Sequence, residues 1–150
     1  MTPMDIALEE ARAAAVRDEV PVGAVLLDGA GRVLARDGNR IEQLHDASAH
    51  AEMLVLRTAA AFRRSARLPD CEVVVTLEPC AMCAAALSAF RVRRVTYGAY
   101  DPKGGGIEHG PRLYASPGSL YRPQTVGGVR EAECAALLRS FFAALRNPTT

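Results

Sequence analysis

The stretch from Glu72 to Ala99, EVVVTLEPCAMCAAALSAFRVRRVTYGA, constrains the fold more than any other part of the chain. EVVVTL is β-branched and too apolar for an exposed edge, so it predicts a buried central strand. AMCAAALSAF is a small-residue helix, and RRVTYGA reads as a second strand. A helix between two strands of one sheet carries the chain back over its face, so the two strands must run parallel.

The flanking segments supply the rest. Residues 3–18 are alanine-rich, with Glu9, Glu10, Arg12 and Arg17 as polar positions. They predict a helix capped by Thr2, with Pro3 at its first position and Asp5 at the positive end of its dipole, stopped by Val20-Pro21. VGAVLLDGAGRVLARDG holds two apolar runs around Asp28-Gly29-Ala30-Gly31, a hairpin whose glycines are expected to supply the positive φ angles of the turn. A polar loop over about residues 38–48 leads to a helix from Ala49 to Arg64, closed off by Pro69. Residues 101–128 are rich in glycine and proline and aperiodic, which predicts a long loop, and glycines 104–106 predict mobility within it. In the last segment Leu137, Leu138, Phe141, Phe142 and Leu145 share one face, expected to pack on the sheet. The expectation is a three-layer α/β/α fold: a mixed sheet of about five strands with helices on both faces, in a single domain over residues 1–150.

Composition narrows the function classes. Hydrophobic residues make up 49% and charged residues 23%, as in soluble globular proteins. The formal net charge of +1 gives no warrant of its own for nucleic-acid binding, although every basic residue except Lys103 is arginine. No apolar run reaches membrane-spanning length, and the first residues lack the basic-then-apolar layout of a signal peptide. A cytoplasmic location without membrane association is expected, where four cysteines stay reduced and free to bind metal.

Cys80 and Cys83 lie on one face of a helix start, where the dipole and free amides favour thiolates. C-x-x-C alone suits a thioredoxin-type redox pair as well as a metal site. Cys71, at the far end of the incoming strand, is on the order of 20 Å from that strand's exit and reads as a small buried hydrophobe. Cys134, within the last helix, reads the same way. His50-Ala51-Glu52 decides between the alternatives. Residues i and i+2 diverge inside a helix, so His50 and Glu52 reach one point only if His50 stands at the very start of its helix. His50, Cys80 and Cys83 then make a three-ligand zinc set with a fourth position for water, the mark of a catalytic site. Glu52 is the natural proton carrier. H-x-E with P-C-x-x-C is the signature of zinc nucleobase deaminases.

These motifs resemble the cytidine and deoxycytidylate deaminase superfamily. EVPVGAVL (19–26), GNR (38–40), HD with AHAE (45–52), TLEPCAMC (76–83), YGAYDPKGG (97–105) and ECAALLRSFF (133–142) are most similar to bacterial tRNA adenosine deaminases. The resemblance implies one Zn²⁺ per subunit on His50, Cys80 and Cys83, with Glu52 as proton shuttle. It implies that Asn39 bonds the base or its ribose and that the Ala51 amide lies near the base. Pro79 with the Cys80 backbone would shape the site, and Asp101 would contact the nucleotide beside the target. The implied substrate is a tRNA anticodon stem-loop, edited from adenosine to inosine at the wobble position by a homodimer.

Three stretches depart from that pattern. Asp46-Ala47-Ser48 replaces D-P-T, Ala89-Phe90-Arg91-Val92 replaces H-S-R-I, and residues 107–123 lack G-S-L-M and the later Asn-His. They leave the metal chemistry alone and bear on substrate choice. A free base or nucleoside deaminase, of guanine or cytosine, is therefore the first alternative, and a zinc-stabilised RNA-binding scaffold the second. His45 is equally consistent with an RNA contact and an ordinary loop residue, and His109 reads as surface loop. Arg91, Arg93 and Arg94 suggest a phosphate patch, although strand alternation points Arg93 and Arg94 apart.

Overall fold

A computed structural model describes residues 1–147. Five strands form one mixed sheet in the order β2-β1-β3-β4-β5. β1 (Gly23–Leu27) pairs antiparallel with β2 (Val33–Gly38) and with β3 (Glu72–Leu77). β3 runs parallel to β4 (Arg94–Ala99), joined to it by the crossover helix α4 (Ala81–Ala89).

Alternation along the strands sorts their side chains between two cores. Ala24, Leu26, Val73, Val75, Val95 and Tyr97 face α3 (Ala51–Arg63) and α4, packing on Val55, Leu56, Ala59, Ala84 and Leu87. Val25, Leu27, Val74 and Ala99 face the opposite layer, where Met4, Ala7 and Leu8 of α1 (Pro3–Val16) meet Cys134 of α5 (Glu131–Arg146). The expected three layers are present. Cys71 and Cys134 are both buried, and burial raises each thiol to about 11, so they serve as apolar filling.

α1 begins with a complete capping box between Thr2 and Asp5. It ends at Val16, two residues before the expected end, because Asp18 takes a left-handed conformation. Its backbone lies directly on the cross-strand pair Gly23 and Gly38. A Cβ on Gly38 would stand 2.5 Å from the Glu10 carbonyl, and one on Gly23 would overlap the Ala7 carbonyl.

Several details differ from the sequence reading. In the hairpin turn only Gly31 has positive φ, while the Asp28 side chain accepts from the Ala30 and Arg32 amides and shapes the rest. The polar loop contains a four-residue helix, α2 (Ile41–Leu44). The 101–128 segment includes a 3₁₀ turn at Leu113–Ala115 and the fifth strand, β5 (Gln124–Val126), parallel to β4. α5 is docked through its first half only. Cys134 is buried, whereas Phe142 and Leu145 are exposed, because the helix runs past the sheet it packs on.

Candidate metal centre and substrate cavity

Two helix starts meet at the end of the sheet where β3 finishes. His50 is the N-cap of α3 and Cys80 the N-cap of α4, both with extended backbone, so their side chains lie at the mouths of the two helices. One turn into α4, Cys83 adds a second, buried sulfur. The ligand atoms of His50, Cys80 and Cys83 all lie within 4.8 Å of one another. His50 Nδ1 is 3.7 Å from Cys80 Sγ. Tetrahedral zinc with ordinary bond lengths places nitrogen and sulfur ligands roughly 3.5 Å apart. The donor set therefore fits zinc in number, chemistry and spacing.

The two thiols of the site are shifted in opposite directions. The Cys80 thiol is lowered to about 4, chiefly because Cys83 hydrogen-bonds to it and His50 assists, against the opposing effect of burial. Cys83 is pushed well above the ordinary thiol range by that same bond and by burial. His50 is raised by its bond to Cys80.

Glu52 lies two residues into α3, only 3% exposed and alongside Cys83. Burial raises its carboxyl to about 7, the range in which one group can both accept and release a proton near neutrality.

The remaining site residues surround this centre. Asn39, Glu52, His50, Cys80 and Asp101 line one cavity of about 280 Å³, together with Val20, Val22, Ile41, Leu77, Glu78 and Gly104. Asn39 is buried, and its Oδ1 accepts from the Ala51 amide at 2.9 Å. That bond gives the Ala51 amide a partner and fixes the first turn of α3 at the cavity. The Pro79 carbonyl accepts from the Gly106 amide at 2.8 Å, so Pro79 anchors the loop opposite. Asp101 Oδ1 accepts from Gly104 N at 2.9 Å within that loop.

Three sequence expectations are corrected. The glycines at 104–106 do not loosen the loop; they let it lie close. A Cβ on Gly105 would stand 2.5 Å from Glu78 Oε2, and one on Gly106 would stand 2.6 Å from Ala81 N. His109 is not a free surface residue, since Nδ1 is 2.8 Å from Glu78 Oε1. No arginine patch forms at 91–94. Arg94 pairs with Glu72 at 2.6 Å, and Arg91 bonds the Ser88 carbonyl and stacks over Tyr121. Sequence reasoning also passed over Glu78, for which TLEPC offered no signal beyond its place next to Pro79. His45 is exposed at the end of α2 and is not among the cavity's lining residues.

Residues 2–99 match the family described as the cytidine and deoxycytidylate deaminase zinc-binding region. The chain is 53% identical over 140 residues to the tRNA-specific adenosine deaminase of Agrobacterium fabrum, covering 93% of this chain and 91% of that protein. A solved structure from work on A-to-I editing by tRNA:A34 deaminases superposes with a TM-score of 0.88 at 52% identity, covering 91% of this chain and 98% of that one. The guanine deaminase of Nitrosomonas europaea superposes with a TM-score of 0.81 at 28% identity, covering 94% and 83%. With the motif, the paired helix starts and the match all agreeing, the chain belongs to the zinc-dependent cytidine and deoxycytidylate deaminase family.

Proposed function

We propose that the protein deaminates adenosine to inosine at the wobble position of a tRNA anticodon. The observation that carries this reading is the 53% identity with a tRNA-specific adenosine deaminase along nearly the whole of both chains. His50, Cys80 and Cys83 would hold the metal. Bound there, zinc offsets the two thiolates and supplies an acidified water as nucleophile.

The chain's own residues handle orientation and protons. Glu52 takes the proton released by the water and delivers it to N1 of the adenine. It then moves a second proton to the departing amine. A C6–O bond forms, the C6–N bond breaks, and ammonia leaves with hypoxanthine as the remaining base. Burial of Glu52 keeps bulk water from short-circuiting that transfer. Asn39 holds the turn that carries both His50 and Glu52, so it orients ligand and proton carrier together. Asp101, which lines the same cavity, would meet the neighbouring nucleotide. An anticodon loop already displays its bases unstacked, which lowers the cost of bringing one to the cavity.

The reading extends to one catalytic domain over the whole chain, acting as a cytoplasmic homodimer. Exposed Phe62 on α3, Met82 on α4 and Leu120, between the 3₁₀ turn and β5, offer apolar surface to a second copy. Four free cysteines suit a reducing compartment. No helix among the described residues is long and apolar enough to cross a membrane.

A second reading, a free guanine deaminase, is favoured by the superposition on the Nitrosomonas enzyme. Zinc-loaded protein incubated with a transcript whose anticodon begins with adenosine separates the two. Inosine at that position, with no ammonia from guanine, cytidine or adenosine, is the expected result. Ammonia from a free base with the transcript untouched would overturn it.

A further inference from the structure

Glu78 is a buried carboxylate beside the metal centre to which the deamination chemistry gives no task. Its side chain is wholly shielded from solvent, and among the described residues no lysine or arginine pairs with it. Five donors converge on it instead. Oε1 accepts from Asp101 N at 3.1 Å and lies 2.8 Å from His109 Nδ1. Oε2 accepts from the amides of Ile107, Glu108 and His109 at 3.2, 2.9 and 3.0 Å. An ionised carboxylate only accepts, so His109 presents its proton on Nδ1.

Within the segment so gathered, Asp101 and Gly104 line the same cavity as Glu52 and Glu78 itself. It is fastened at further points. Gly106 N donates to the Pro79 carbonyl at 2.8 Å, Gly105 N to the Asp101 carbonyl at 2.8 Å, and Tyr97 Oη to Glu108. The loop therefore rests on the turn that carries Cys80, and Glu78 is the hub between the two.

We propose that Glu78 and His109 are positioning residues for substrate. By fixing the main chain at 101 and 107–109 they set Asp101 against the nucleotide flanking the target, and so govern substrate fit without touching the reacting atoms. The inference rests on the deaminase reading above.

The test uses the zinc-loaded full chain and its His109→Ala and His109→Asn variants. In the first, KM for the anticodon stem-loop rises by on the order of ten- to a hundredfold, as for a misplaced orienting wall. Its kcat stays within about threefold, the pattern of lost binding rather than lost chemistry. Preference for the flanking nucleotide narrows, one zinc per chain is retained, and amide exchange quickens only within residues 101–109. His109→Asn, which returns a donor near the position of Nδ1, restores much of the KM. Unchanged KM and flanking preference in His109→Ala would overturn the proposal, as would a fall in kcat alone. If His109→Ala fails to fold, Glu78→Gln is measured in its place, with the same outcomes deciding. If the parent protein ignores the transcript and deaminates a free base, the substrate reading fails. The positioning claim is then judged on KM for that base and on the exchange of residues 101–109.

Discussion

At the scale of single residues, the proposed mechanism separates holding a metal from moving a proton. Glu52 touches the ligand cluster but is not needed to complete it. Glu52→Gln keeps the shape and removes the carboxylate. Turnover should fall by about 10²–10⁴-fold, the usual contribution of a positioned acid–base group, while zinc content and melting temperature hold. Equal activity in that variant would leave the proton path without its carrier. This division was readable in His50-Ala51-Glu52, because two side chains at i and i+2 meet only at a helix start, and His50 is an N-cap. The bond from the Ala51 amide to Asn39 was not readable. It joins residues twelve apart, and only the folded hairpin brings Asn39 under α3.

At the scale of elements, α1 shows how closely the layers approach. It lies backbone to backbone on Gly23 and Gly38, which face each other across β1 and β2. Gly23→Ala puts a methyl group against main-chain atoms that cannot turn aside. A loss of about 1–3 kcal/mol or more is expected in denaturant titration. The start of the same helix carries a pH dependence. Asp5 closes the capping box and pairs with Arg130 at the head of α5, and the Arg130 bond foremost holds its carboxyl down to about 2. A lowered carboxyl stabilises the fold above its ordinary value of 3.8 and loses that contribution as pH falls through about 2. Asp5→Asn should therefore melt below the parent at pH 7, with the two curves converging as pH falls below about 2. A gap that persists in acid would assign the effect to packing. The helix and its cap were plain in TPMDIALEE. Its glycine seat was not, since those glycines also read as ordinary turn and strand-end residues.

At the scale of the molecule, the metal joins what the chain keeps apart. α3 and α4 are separated in sequence by β3, and their starts meet at the ligand cluster. Zinc that binds the folded form alone stabilises it by about 4 kcal/mol at a thousand times its dissociation constant. Chelation should lower the melting temperature, and added zinc should restore it, in the parent and in Glu52→Gln alike. A melting curve indifferent to chelator would mean the two helix starts hold together unaided. The parallel pair and its crossover were legible because a strand, a helix and a strand admit few arrangements. The far edge was not. β5 is three residues long and exposed throughout, so it carries no apolar alternation to detect. The overhang of α5 was equally hidden, because a stripe of leucine and phenylalanine records which face is apolar and not how far the surface beneath it extends.

The hub at Glu78 bears on how such an enzyme can change over generations. Four of its five donors are main-chain amides, which every residue but proline possesses. The anchor is therefore indifferent to most of the side chains it holds. Mutations can rewrite the wall of the cavity, and with it the choice of substrate, while the wall stays attached at the same place and the inherited chemistry continues beneath it.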